Sequence, residues 1–290
     1  ISDTFSTRVI IMDLKKIVLA ISLTASLCIS LGAAAAQSFN SGSCYSRTHT
    51  QQWQPSGSGR QLTVVIDQTV VLPDALQHDV WNKVASFIAP GDEVKLYTFS
   101  ALVPGQYMQL VADNTLDPLP TASSRGDIPM DDLSDLDDCL SQQKSQFIET
   151  WGRSLVKAMQ DSKSDIPKSE IMHSLKSIGE DLKATPAHQR IIFLVSDMLE
   201  NSDAASFYQH NQIRRLNVPL VLSNVRNQGL FADLDGAKVY VLGAGLMTST
   251  DSHYIGGKTL DSLQSFWQQW FALSNAKLAA FGTPALNQPL

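Results

Sequence analysis

The sequence predicts an α/β domain of three layers, α-β-α, with helices on both faces of a mostly parallel central sheet. Three observations carry that reading. Short apolar, β-branched runs recur along the chain. Amphipathic helical stretches separate them. Two of the runs end directly in aspartate.

Leu62-Thr63-Val64-Val65-Ile66 is a run suited to a strand covered on both faces, and it ends at Asp67. After Pro73-Asp74, residues Ala75 to Ile88 place Leu76, Val80, Val84 and Phe87 at helical spacing, and Pro90-Gly91-Asp92 stops the helix. Val94 to Phe99 alternates as a second strand, and Gln106 to Val111 fits a third at an edge. Residues 112–138, with Asp131, Asp132, Asp135, Asp137 and Asp138, read as a polar insertion whose acidic run is a solvated loop. It lacks the turn glycine and distal glutamate of a calcium loop. Cys139 to Gln160 and Ile171 to Leu182 read as helices, and Ile191 to Val195 is the strongest strand, closing on Ser196-Asp197. A helix is expected around Ala204 to Leu216, a strand over Lys238 to Leu242 and an amphipathic helix over Leu260 to Phe271.

The chain of 290 residues carries 43% hydrophobic and 17% charged residues, ample for a buried core and against wholesale disorder. A net charge of -6 without a basic run excludes the phosphate-neutralising footprint of a nucleic-acid binder. At the N-terminal side, Lys15 and Lys16 follow Met12, then come an apolar run from Ile17 to Leu31 and Gly32-Ala33-Ala34-Ala35-Ala36. This describes a signal peptide over 12–36 cut after Ala36, with a periplasmic or secreted product that does not span the membrane. An uncleaved anchor is the alternative, since about 20 apolar residues can cross a bilayer. Leu27 before Cys28 argues against a lipid anchor, and residues 1–11 read as upstream readthrough. Residues 37–60 read as a flexible arm, 61–282 as the domain and 283–290 as a tail. Cys44 and Cys139 remain after cleavage and are free to pair in an oxidising compartment.

The chemistry rests on the two strand-end aspartates. In an open parallel sheet, ligands bind beyond the carboxyl ends of strands where the strand order reverses. Asp67 and Asp197 converging there, with Thr69 and Ser169 as hydroxyl donors, offer the all-oxygen set that a hard cation prefers. Caps and turn bonds are the competing role for any single strand-end aspartate. Ser196 lacks a nucleophile-elbow setting and is read as satisfying backbone groups. The six histidines show no zinc-protease spacing, and Gly243-Ala244-Gly245 reads as a tight turn.

Asp67-Gln68-Thr69-Val70-Val71, Ser169-Glu170-Ile171 and Leu194-Val195-Ser196-Asp197 together resemble the von Willebrand factor A (vWA) family over about residues 61 to 245. The resemblance is to small exported bacterial members with a degenerate metal-ion-dependent adhesion site. It implies Mg²⁺ at Asp67, Thr69, Ser169 and Asp197, with Val71 replacing the family's second serine. The implied function is an exported, non-enzymatic module that binds a protein partner in the cell envelope through the sheet's carboxyl edge. A structural subunit of an envelope assembly with a vestigial site is the alternative. A metal-dependent hydrolase stands behind both, because no general base is evident beside the motifs.

Overall fold

β1 (Arg60–Asp67) lies in the middle of the fold because seven of its eight residues are buried. It pairs in parallel with β2 (Glu93–Phe99) on one side and β4 (Gln189–Val195) on the other. The structure is a computed structural model that describes residues 42–57, 59–100, 108–163, 169–209, 212–246 and 257–290. Readings that concern residues 1–41, the signal peptide among them, lie outside the described residues.

β3 (Met108–Thr115), β7 (Ala237–Leu242) and β8 (Ala276–Phe281) complete a six-stranded sheet of order β3-β2-β1-β4-β7-β8. Only β3, at one edge, runs antiparallel. The parallel strands read as near-continuous apolar runs because helices cover both faces. α2 (Asp74–Phe87) and α4 (Met130–Gln160) pack Val80, Val84, Phe147, Trp151 and Leu155 against Leu62, Val64, Ile66 and Phe193. On the opposite face, α5 (Ile171–Leu182), α6 (Val218–Asn227) and α7 (Gly257–Leu273) pack against Val65, Ile192, Leu194, Val239 and Val241. Phe266, Trp267, Trp270 and Phe271 of α7 are all buried in that face, so the aromatic cluster is core. The expected three layers are present. Among the described residues, no helix is long and apolar enough to cross a membrane.

Four local expectations give way to the structure. Residues 43–54 are not an extended arm: α1 (Cys44–Arg47) and a 3-10 turn at Gln51–Trp53 fold against α4. Cys44 and Cys139 form a disulfide with Cα atoms 5.7 Å apart. Asp117 anchors the same segment, accepting hydrogen bonds from the Cys44 amide at 2.7 Å and the Ser43 hydroxyl at 2.9 Å. Second, the acidic run is not a loop. After a short helix, α3 (Ala122–Asp127), α4 starts at Met130, with Pro129 before it and Asp131 and Asp132 in its first turn. Carboxylates there suit the positive helix end. Asp131, Asp135 and Asp138 remain exposed, so the run is solvated but helical.

The third correction concerns residues 204–216. They hold a small hairpin, β5 (Tyr208–Gln209) with β6 (Gln212–Ile213), and the helix comes later as α6. Asn217 caps α6 and Pro219 stands in its first turn, where its missing N–H costs nothing. Last, β8 adds an edge strand after α7 that the periodicity did not announce.

Candidate functional site

Asp67 is the last residue of β1 and its side chain is buried. The chain turns back at once, so the Thr69 amide donates to Asp67 Oδ1 at 2.9 Å and the Thr69 hydroxyl donates to the same oxygen at 2.6 Å. This is the Asx-turn geometry that a short carboxylate supports. The neighbouring strand β4 ends at Val195, opposite Ile66, so Ser196 follows directly beside Asp67. Ser196 Oγ donates to Asp67 Oδ2 at 2.7 Å and accepts from the Met198 amide at 2.9 Å. Ser169, just ahead of α5, donates to Oδ2 at a longer 3.4 Å. Asp67 therefore gathers three hydroxyls from three separate chain segments.

Asp197 is half-buried, and its Oδ1 accepts the Leu199 amide at 2.9 Å. Met198 between them takes a left-handed conformation at φ 62, a rare state for a residue with a Cβ. The Trp267 indole Nε1 donates to the Met198 carbonyl at 2.8 Å and pins that turn from α7. Across the rim, Gly243 has φ 102, and a Cβ there would stand 3.0 Å from the Ser196 carbonyl oxygen. Gly243 donates its amide to the Pro284 carbonyl at 2.7 Å and Gly245 donates to the Asp197 carbonyl at 2.8 Å. The Gly243-Ala244-Gly245 segment is thus a tight turn packed on the site's backbone.

Burial is the main influence on both carboxyls. It raises Asp67 despite four hydrogen bonds that favour its charge. Asp197 is raised well above the usual carboxylate range, first by burial and then by the negative charge of Asp67. Among the described residues, no lysine, arginine or histidine forms an ion pair with either. A proton or a cation is left to neutralise the pair. The Tyr208 hydroxyl of β5 is also pushed up, by burial first and then by Asp197 and Asp67.

Of the four residues singled out in the sequence, Asp67, Thr69 and Ser169 are joined by hydrogen bonds, and Asp197 follows Ser196 just beyond the end of the adjacent strand β4. Ser196 satisfies a backbone amide as expected, and it also bonds Asp67, which the sequence reading does not include. Its place ahead of Asp197 on an adjacent strand was the available signal. Tyr208 carries no such signal, because the sequence predicts a helix over the span where the chain forms a hairpin. Val71 is 42% exposed at the rim and supplies no donor. The side-chain donors, Asp67, Thr69, Ser169, Ser196 and Asp197, are all oxygens, a donor chemistry that fits Mg²⁺.

Strand order reverses between β1 and β4, since β2 follows β1 on one side and β4 flanks it on the other. The acidic pair stands at that switch point. The fold is an α/β one, a mostly parallel six-stranded sheet with helices on both faces.

No family model and no curated protein sequence matches the chain. Among solved structures, it is similar to the pilus adhesin SpaC from Lactobacillus rhamnosus GG, with 13% identity and a TM-score of 0.41 over 79% of this chain. The chain spans 29% of that adhesin's length. It is also similar to an aerotolerance-related membrane protein from Bacteroides fragilis, with 14% identity and a TM-score of 0.31. That match covers 78% of this chain and 92% of the other. A third similarity is to the N-terminal domain of TFIIH p34, with 12% identity, a TM-score of 0.34, and coverage of 80% of this chain and 92% of that one.

Proposed function

We propose that this chain is an exported binding module that captures a protein partner at the carboxyl rim of its sheet, with Mg²⁺ held by Asp67, Thr69, Ser169 and Asp197. A bound divalent ion there supplies a Lewis-acidic anchor for a carboxylate of the partner. The supporting observation is the pair of carboxyls at the ends of adjacent parallel strands, with hydroxyls around Asp67 and no basic partner among the described residues. Taking such a charge out of water is costly unless it is neutralised. Asp67 and Asp197 bring the negative charge, and Thr69 and Ser169 bring neutral oxygens.

Binding is favoured over hydrolysis because Glu200, an acid three residues beyond Asp197, is committed elsewhere. Glu200 is buried and accepts the Met172 amide at 3.1 Å, so it does not stand ready as a general base toward the rim. Export to the periplasm or the exterior accords with the Cys44–Cys139 disulfide, because such bonds persist in oxidising compartments. A second reading, an envelope-assembly subunit with a vestigial site, draws on Val71 in place of a ligating serine.

Calorimetric titration with Mg²⁺ and Mn²⁺ tests the reading, alongside thermal unfolding. The wild type is expected to bind and to gain about 2.7 kcal/mol of stability at a hundredfold excess over Kd. Asp67→Ala and Asp197→Asn are expected to lose both responses, and EDTA to release the partner in envelope pulldowns. No heat and no stabilisation in a folded wild type would leave the vestigial subunit as the better account.

A further inference from the structure

α5 begins without a side-chain cap, since Glu170 at its N-cap makes no capping hydrogen bond. The first amides of a helix need acceptors from elsewhere. Glu200, fully buried, reaches across from the loop after β4, and its Oε2 accepts the Met172 amide at 3.1 Å. Its other carboxylate oxygen is buried without a hydrogen-bond partner. An acid held this way costs the fold free energy. Burial also raises its carboxyl to about 8. Such a residue is poorly explained by stability alone.

The next residue links it to the site. Ser169 donates its amide to the Asn201 carbonyl at 3.1 Å, and Asn201 returns the bond to the Ser169 carbonyl at 3.0 Å. Residues 169–172 and 200–201 therefore close a small ring. One side of the ring is the two-bond bridge and the other is the Glu200 carboxyl on α5. Ser169 projects its hydroxyl from that ring onto Asp67, and at 3.4 Å this is the longest of the bonds to Asp67. Its placement depends on the ring more than on any tight contact at the rim.

We infer that Glu200 is a positioning residue, which sets the Ser169 hydroxyl against Asp67 by holding the first turn of α5. The ring geometry stands by itself, while the consequence for a cation rests on the function proposed above.

Amide hydrogen exchange on the ¹⁵N-labelled full chain, with and without Mg²⁺, tests it. Glu200→Ala is expected to speed exchange at Ser169 and Asn201 about tenfold, the loss of one hydrogen bond. The sheet amides of Ile192 and Val241 should keep their protection. Glu200→Gln, whose amide oxygen still accepts from Met172, should restore the two amides and retain Mg²⁺ affinity, which Glu200→Ala should weaken. If Glu200→Ala loosens every amide, Glu200→Asp, with its shorter reach, should show the selective loss instead. Wild-type exchange at Ser169 and Asn201 in both the Ala and Asp variants overturns the inference, and so does a Gln variant as loose as Ala. A wild type that takes no Mg²⁺ overturns the proposed function and leaves the exchange result to decide the role of Glu200.

Discussion

Replacing both cysteines, Cys44→Ser with Cys139→Ser, removes a covalent closure across 95 residues of sequence. Loop-closure entropy for a ring of that length is worth about 4.7 kcal/mol at 25 °C. Whole domains are stable by only about 5–15 kcal/mol, so the bridge carries a large share. Its non-covalent neighbours survive the substitution. Asp117 still receives the backbone amide of residue 44, the Ser43 hydroxyl and the Gln143 side chain. The expected outcome is therefore a folded protein with a lowered urea midpoint, followed by the fluorescence of its five tryptophans. The stability loss should be about 3–5 kcal/mol. The rim should be untouched, because Cys139 lies 19 residues before Ala158, whose carbonyl accepts from Gln68 beside the site. That is roughly 28 Å along α4. A loss below about 1 kcal/mol would refute the reasoning, since the unfolded chain would then gain little freedom from the cut. So would a change in Mg²⁺ affinity.

Two further outcomes follow from the packing and the charges. Asp197 has its pKa raised in the folded protein, so the native state holds the extra proton. Stability of the cation-free protein should be highest near pH 4 and fall as pH rises toward the folded value. Asp197→Asn should remove that part of the fall, giving a thermal midpoint advantage over wild type that widens from pH 4 to 7; Asp67, also raised by burial, and Glu200, raised to about 8, keep a residual slope of the same sign. Parallel curves would count against the buried charge pair. Gly179→Ala in α5 should destabilise by about 1–3 kcal/mol in urea, despite the helix preference for alanine. The added Cβ would stand 2.6 Å from the Asp233 carbonyl oxygen, and a stabilised variant would show that the backbone yields there.

Most of the sheet was legible because its parallel strands must be apolar on both faces. Leu62 to Ile66 and Ile191 to Val195 stand out for that reason, and their terminal aspartates located the rim. The edges were harder. β8 carries Ala276, Lys277 and two further alanines, and only half-buries most of them, so no pattern marks it. The start of α4 was hidden by its aspartates, which look loop-like by propensity, though Pro129 and a first-turn acidic pair are helix-start signals. The helix expected around Ala204 to Leu216 starts later, at Asn217-Val218-Pro219. The packed segment at 43–54 depends on a disulfide and on Asp117, partners 63 to 95 residues away. No local composition can reveal those. Ser196 and Tyr208 reach the site for the same reason: their roles come from strand adjacency and a hairpin, not from a motif letter.

The bond from Gly243 to the Pro284 carbonyl, with the one from Trp267 to Met198, has a temporal meaning for a growing polypeptide. Asp67 is made well before these partners, and the turn that carries Asp197 cannot be clamped until Trp267 and Pro284 have been made. At about 5–20 residues per second, translation leaves the first acidic side chain waiting roughly 10–40 s for its full set of neighbours. A nascent or truncated chain that stops before Trp267 would display the carboxylate without the clamp.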